Sequence, residues 1–205
     1  MQTVGSVPLR SLQPAPVELH ERVTFIGNAT ILLRLAGRTI LTDPNFVPAG
    51  ENVPLGYGLS ARRLLDPAVT FDGLPPVDLV LLSHLHGDHF DRIAEARLSR
   101  ELPIVTTQQA ADQLAELGFR GTIPLDTWES HQVDTSAGRL RITALPARHA
   151  PSLLSVALPH VMGSLLETWG PEDDPSLPAR RRIYISGDTI VNDGLREIRW
   201  RHPDI

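Results

Sequence analysis

The order of apolar and polar positions predicts that the chain opens with short β-strands. Residues 23–26, 30–35 and 39–42 have the lengths and apolar content of strands, and Gly37-Arg38 separates the second and third in a hairpin-like way. Residues 77–82 form a nearly continuous apolar run with one charge near its start. Such a run is typical of a strand that is buried on both faces of a sheet.

Helices and strands alternate in the rest of the chain. The pattern predicts helices over residues 91–100, 108–117 and 190–200, and strands over residues 104–106, 139–145 and 183–186. Residues 43–76 and 146–182 are rich in proline and lack a clear period, so both are predicted to be long loops, the first with a helical turn near residues 62–65. The alternation predicts an α/β or mixed α+β fold in a single domain, residues 1–205.

The composition narrows the chemistry. The chain has no cysteine, so a disulfide framework, a thiolate metal ligand and a cysteine nucleophile are all excluded. A net charge of -5 with no long run of either sign argues against a general nucleic-acid or membrane-surface binder. No segment approaches the roughly 18 apolar residues of a membrane span, and the first 20 residues lack the apolar core of a signal peptide. We therefore expect a cytoplasmic protein.

The strongest chemical signal is the sequence SHLHGDH that follows the predicted buried strand. Neutral imidazoles and carboxylates are good ligands for zinc and other divalent transition metals. His84 and His86 can hold one ion, and the adjacent Asp88 and His89 a second, with Gly87 allowing a sharp bend between the pairs. A polar loop with Asp88 as a helix N-cap is the alternative. It fits poorly, because so many imidazoles crowd one another unless a metal or a carboxylate organises them.

These motifs resemble the metallo-β-lactamase fold, and more narrowly the branch of ascorbate-phosphate lactonase-type and N-acylphosphatidylethanolamine phospholipase D-type proteins. The resemblance covers most of the chain, and the histidine cluster is its most specific part. It also includes FIGNAT at residues 25–30, LTDP at 41–44, PARH at 146–149 and SGDT at 186–189. The resemblance implies an αββα sandwich built around a metal site.

Position by position, the resemblance implies a site for two divalent ions. Three histidines would hold the first ion, two residues of the cluster the second, and one aspartate would bridge them: His84, His86 and His149; Asp88 and His89; and Asp188. Zinc is expected first, and manganese or iron also suit this ligand set. Alone, His149 would be an ordinary surface residue and Asp188 a turn or helix cap. Their order and their positions after predicted strands support both assignments.

Four further residues have weaker claims. Asp43 is interpreted as a group that orients a ligand histidine, although it could be only a turn residue before proline. Asn28 either lines the site or forms a turn, and His131 lies either near the metal site or on an ordinary strand face. His160 lies in the long loop that follows a predicted ligand, and this loop could cover the substrate.

One departure from the family pattern concerns its last histidine, which lies well beyond the bridging aspartate and after further strands. His202 follows Asp188 too closely and sits beside a predicted helix, so we do not expect it to substitute. We therefore expect a C-terminally incomplete sandwich whose second metal is one ligand short. An uncovered sheet edge favours association, so a homo-oligomer that fills the gap is an open alternative.

Three functions fit this ligand set to different degrees. In the first, two metals create hydroxide from a bridging water, and Asp88 or Asp188 orients it for attack on an ester, lactone or phosphodiester bond of a small molecule. In the second, the site is incomplete and the chain binds metal without turnover. A nucleic-acid-processing nuclease ranks third, because no basic substrate channel is visible in a chain of charge -5.

Overall fold

The computed structural model describes residues 21–56, 58–150 and 158–205. A short 3-10 turn spans Phe71–Gly73. The strands within the described ranges are β1 (Arg22–Gly27), β2 (Thr30–Leu35), β3 (Arg38–Thr42), β4 (Asn52–Gly56), β5 (Leu59–Arg62), β6 (Leu79–Leu81), β7 (Ile104–Thr106), β8 (Thr122–Pro124), β9 (Ser130–Thr135), β10 (Gly138–Pro146), β11 (Met162–Trp169) and β12 (Arg181–Ile185). The helices are α1 (Arg92–Arg97), α2 (Gln108–Glu116) and α3 (Asp193–Arg201).

These strands form two sheets and a separate hairpin. The first sheet has the order β1-β2-β3-β6-β7-β8, antiparallel from β1 to β3 and parallel from β3 to β8. The second sheet has the order β12-β11-β10-β9 and is antiparallel throughout. β4 and β5 pair with each other as a separate hairpin. Because β3 and β6 are parallel neighbours, the segments that follow them emerge side by side at one edge of the first sheet.

Strand β6 shows how the sequence builds the layers, since successive side chains of a strand point to opposite faces. Val80 packs in the apolar cluster that contains Ala94 of α1 and Leu114 of α2. Leu79 and Leu81 belong instead to the cluster that the two sheets form between them. All three side chains of the strand are buried, as the apolar run predicts.

A third apolar cluster lies on the outer face of the second sheet. Ile198 of α3 packs there with Leu145 of β10 and Leu165 of β11. The layers therefore follow the order helices, sheet, sheet, helix, and the predicted αββα sandwich of the α/β class is confirmed in the described residues. None of the described helices is long and apolar enough to cross a membrane.

The prediction of two long loops was wrong in both places. β11 lies inside residues 146–182, and all of its residues are buried. The sequence did not indicate a buried strand here, because the strand contains a charged residue, Glu167. This residue is 1% exposed and is paired with Arg141 and Arg182 inside the protein. Residues 151–157 of this stretch lie outside the described residues.

The other predicted loop also contains strands. The helical turn expected near residues 62–65 is not formed, because β5 ends at Arg62 and residues 63–65 form neither helix nor strand. β5 pairs with β4 in a largely exposed hairpin. Val53 of β4 is buried, but β5 is exposed at every position, so no apolar period marks the hairpin in the sequence. The short strands β8 and β9 were likewise not predicted.

Candidate metal centre

The histidine loop, which we define as residues 83–89, leaves the carboxyl end of β6. His84 and His89 are buried, with 0% and 2% of their surface exposed, and His86 is half-buried. The loop leads through Asp91, whose side chain accepts hydrogen bonds from Ile93 N and Ala94 N, into α1. Asp91, and not Asp88, is therefore the N-cap of this helix, and Asp88 remains available to the site.

Ligand atoms of two overlapping groups converge beside this loop. In the three-histidine group, atoms of His84, His86 and His149 lie within 4.8 Å of one another. In the mixed group, atoms of His84, His89 and Asp188 meet the same limit. A cation with bonds of about 2.1 Å to each ligand could draw either set together. Because the two groups share His84, they are immediate neighbours.

Asp188 belongs to the mixed group and also approaches a histidine of the three-histidine group. Its Oδ1 is 3.3 Å from His89 Nε2, and its Oδ2 is 3.7 Å from His149 Nε2. Asp88 also approaches the ring of His89, with its Oδ2 3.8 Å from His89 Nε2. One carboxylate thus reaches a histidine of each group, which is the arrangement that a bridging role requires.

A buried hydroxyl contacts the rings of both buried histidines. The Oγ of Ser83 lies 2.9 Å from Asp43 Oδ1, 3.0 Å from His84 Nδ1 and 3.3 Å from His89 Nδ1. An ionised carboxylate only accepts, so Ser83 donates to Asp43 and accepts from imidazole N–H. The Nε2 atoms then remain available to the site. Asp43 Oδ2 also lies 3.4 Å from His89 Nδ1, which is the contact that its predicted orienting role requires.

The charges of the cluster are unequal. Burial, followed by the neighbouring imidazoles of His89 and His86, lowers the pKa of His84 to about 2. Burial and then His149 also lower the pKa of His86. Both rings are therefore neutral near pH 7 and offer a lone pair to a cation.

His89 and Asp188 form the charged pair of the cluster. Burial opposes the charged form of His89, but hydrogen bonds and charges from Asp188 and Asp43 outweigh it and raise the pKa of His89 to about 10. The hydrogen bond from His89 lowers the pKa of Asp188 to about 2. A cation held by these two side chains would take the place of the proton that they share.

The backbone of the histidine loop is held from the first sheet and the hairpin. Asn28 Nδ2 donates to the Asp88 carbonyl at 2.8 Å, and Asn45 Nδ2 to the Gly87 carbonyl at 3.1 Å. A Cβ on Gly87 would lie 2.5 Å from the carbonyl oxygen of Pro54 in β4. Gly87 does not belong to the described glycines with positive φ. Close approach of the hairpin, and not the predicted sharp bend, therefore accounts for the glycine.

The segment that carries Asp188 is fitted against the same loop. Gly187 has a φ of +59°, and a Cβ there would lie 3.0 Å from the Cβ of Ser83. Thr189 and Ile190 bond to the backbone of Arg148, which joins this segment to the one that carries His149. The two ligand segments of the second sheet thus support each other.

The donor set fits a divalent cation. Among the described residues, His84 Nε2 and Asp88 Oδ1 are buried and have no hydrogen-bond partner. A buried polar atom without a partner costs about 1–3 kcal/mol, so a bound ion or water that satisfies these atoms would be stabilising. Nitrogen and oxygen ligands suit zinc, manganese and iron alike.

A family model described as "Beta-lactamase superfamily domain" matches residues 38–200 of the chain. The chain belongs to the β-lactamase superfamily. The resemblance predicted from the histidine cluster is thereby confirmed, and relatives in this superfamily include proteins named as hydrolases.

The chain is similar in sequence or fold to several individual proteins of different kinds. It is 27% identical over 192 residues to the UPF0173 protein YddR of Bacillus subtilis, covering 89% of this chain and 69% of that protein. It is 25% identical over 174 residues to N-acyl-phosphatidylethanolamine-hydrolyzing phospholipase D 1 of Caenorhabditis elegans, covering 81% and 46%. The crystal structure of a possible metal-dependent hydrolase from Veillonella parvula shares the fold, with a TM-score of 0.70 at 21% identity over 90% of this chain and 69% of that one.

Three further described histidines lie outside both ligand groups. His131 occupies β9 opposite Ile142, as an ordinary strand residue does. His160 lines a cavity together with His149, so it lies beside the candidate centre without joining it. His202 follows α3 and stacks on Trp128, with ring centroids 6.3 Å apart. It therefore does not supply the last histidine of the family pattern.

Sequence reasoning missed two members of the site, Ser83 and Asn45. Ser83 directly precedes His84, and a hydroxyl at that position was a usable signal because it can reach the adjacent ring. Asn45 reaches the Gly87 carbonyl from 42 positions away. Only the pairing of β3 with β6 brings that contact about, so no local pattern reveals it.

Proposed function

We propose that this chain is a hydrolase that binds two divalent metal ions and acts on a small molecule with an ester, lactone or phosphodiester bond. The observation that carries the proposal is the position of Asp188, which lies within 3.7 Å of one histidine from each ligand group. Zinc is our first choice of metal, with manganese or iron as alternatives. A cytoplasmic location and a homo-oligomer stay predictions from the sequence.

Bound divalent ions would lower the pKa of water and polarise a carbonyl or phosphoryl oxygen. The chain itself would contribute three things. His84 and His86 offer neutral rings. Ser83 orients the buried rings of His84 and His89, and Asp43 contacts that of His89. Asp88 presents an oxygen that has no partner among the described residues, so it can accept a hydrogen bond or a proton from water. We propose Asp88 and Asp188 as the residues that orient water.

His84→Ala tests the proposal most directly, because His84 belongs to both groups. We expect two ions per chain in the unaltered protein and at most a trace in the variant, measured by mass spectrometry of the metal content. Hydrolysis of bis(4-nitrophenyl) phosphate and of a γ-lactone probe should be lost with the metal. His202→Ala is the matched control, because its ring stacks on Trp128 outside both groups.

Two outcomes would count against the proposal. Unchanged metal content in His84→Ala would show that the cluster is not the metal site. A single tightly held ion, without hydrolysis of either probe by the unaltered chain, would instead support a family member that binds metal without turnover.

A further inference from the structure

A cavity of about 320 Å³ opens beside His149. This volume lies at the small end of the range in which proteins bind small molecules, about 300–1,000 Å³. Its walls come from the start of α2, from residues 125–127 after β8, and from residues 147–149 and 158–162. Because His149 belongs to the three-histidine group, a molecule in this cavity lies directly beside the candidate metal centre.

The cavity contains an arginine that forms no ion pair with a described residue. Arg148 lines it, and no carboxylate among the described residues forms an ion pair with its guanidinium. Arg141 and Arg182 differ in this respect, because both are paired with the buried Glu167. Among the described residues, Arg148 is therefore a cation of this cavity that no carboxylate pairs with directly.

Further polar residues line the same cavity. His160 also lines the cavity. Its backbone N–H donates to Gln109 Oε1 at 2.7 Å, which ties the wall formed by residues 158–162 to α2. Thr107 and Gln108 at the start of α2 also line the cavity. The first N–H groups of a helix have no partner within the helix and carry partial positive charge, so this wall favours an anion.

One carboxylate opposes these groups. Asp126 lines the cavity, and its backbone N–H is held by Glu129 Oε2 at 2.9 Å. Its charge partly offsets that of Arg148, so the two residues should act on an anionic ligand with opposite sign.

We propose that this cavity binds an anionic group of the substrate, a carboxylate or a phosphate separate from the bond that is hydrolysed, through Arg148 and His160. The inference rests on the proposed function, because the metal centre beside His149 would hold the scissile bond. The substrate class is accordingly that of small esters, lactones or phosphodiesters that carry a second acidic group.

The experiment compares small carboxylates with and without a second acidic group. Zinc-loaded protein would be titrated with glutarate, with 3-phosphonopropionate and with monomethyl glutarate, which keeps one carboxylate but loses the other. We expect each dianion to bind about tenfold tighter than monomethyl glutarate, since a charge-assisted hydrogen bond contributes at least that much. The relative affinities of the two dianions show whether the second anionic group is better a carboxylate or a phosphate.

Two variants should change the preference for dianions in opposite directions. Arg148→Ala should abolish the preference for dianions and leave monomethyl glutarate within about twofold, whereas Asp126→Asn should increase the preference about two- to threefold. Arg120→Ala, at an exposed arginine paired with Glu101, should change nothing. Equal binding of dianion and monoanion by the unaltered chain, or a preference that survives Arg148→Ala, would overturn the inference.

Metal content measured on the same samples separates this inference from the proposed function. Two bound ions and hydrolysis without a preference for dianions would overturn only the anion site. A preference that depends on Arg148 in a chain that takes up no metal would support the anion site and overturn the proposed hydrolase.

Discussion

The two halves of the candidate centre differ in how they are held. The half on the first sheet comes from one short loop, and its His84 and His89 are at most 2% exposed. The half on the second sheet comes from two separate segments, and the side chains of its His149 and Asp188 are 24% and 45% exposed. A buried half is fixed by the protein before any ligand arrives, and an exposed half depends more on what it binds.

The difference follows from the topology of the strands. Asp43 follows β3 and the histidine loop follows β6, and these strands are parallel neighbours, so hydrogen bonds join their ends directly. In the second sheet β11 lies between β10 and β12, so the two ligand segments do not follow neighbouring strands. His149 and Asp188 rely on bonds between Arg148 and residues 189–190. The first half therefore provides a preorganised platform, and the second completes the site.

Asp188→Asn should produce the largest break between the two halves. Asp188 belongs only to the mixed group, so the variant should lose one ion and keep the other in the three-histidine group. Hydrolysis should fall by about a hundredfold or more, the usual loss when a group that handles a proton is removed. Metal content per chain and the rate on bis(4-nitrophenyl) phosphate measure both effects.

Asp193→Asn is the matched control for that variant, since the Asp193 side chain is 96% exposed on α3. It should keep both ions and full activity. Retention of two ions by Asp188→Asn would contradict the bridging role, because the mixed group would then hold its ion without Asp188.

The same contrast explains what the sequence could predict. The residues of the histidine loop are contiguous, so they indicate a metal site without knowledge of the fold. His149 and Asp188 could be proposed only through the family resemblance, because nothing local separates them from a surface histidine and a turn residue. The anchoring contacts of Asn45 and Pro54 depend on packing between distant segments and left no pattern to find.

The fold shows the same limit. β6 was predictable because a strand buried on both faces must be apolar at every position. β11 is buried too, yet it contains Ser164, Glu167 and Thr168, and the charge of Glu167 is neutralised by arginines on its two neighbouring strands. A charge that is paired across a sheet looks, in the sequence, like a charge in a loop.

Ser83→Ala should have the next largest effect and should act on the buried half alone. Removal of the hydroxyl frees the rings of His84 and His89 from their shared contact, and loss of such an orienting group usually weakens metal binding about 10- to 100-fold. Competition with a chelator of known affinity measures the change. A purely structural role would lower thermal stability and leave metal affinity unchanged, and that result would contradict the prediction.

Ser130→Ala serves as the control for Ser83→Ala. Its hydroxyl also lies within hydrogen-bond distance of a side chain, Thr143 Oγ1 at 2.8 Å, but both residues lie on the second sheet outside the ligand groups. It should cost stability without a change in metal affinity.

Metal removal should have the smallest effect of the three changes. It should increase local opening, measured by amide hydrogen exchange, more in the exposed half than in the buried half. With free metal at about ten times its dissociation constant, binding stabilises the bound form by about 1.4 kcal/mol, or about tenfold. After chelation we expect amide hydrogen exchange to rise by about that factor in residues 147–150 and 186–190. The histidine loop should change by less than about twofold, because Asn28, Asn45 and Asp43 hold its backbone without a metal. Equal acceleration in both halves would mean that the buried loop also depends on the ion for its shape.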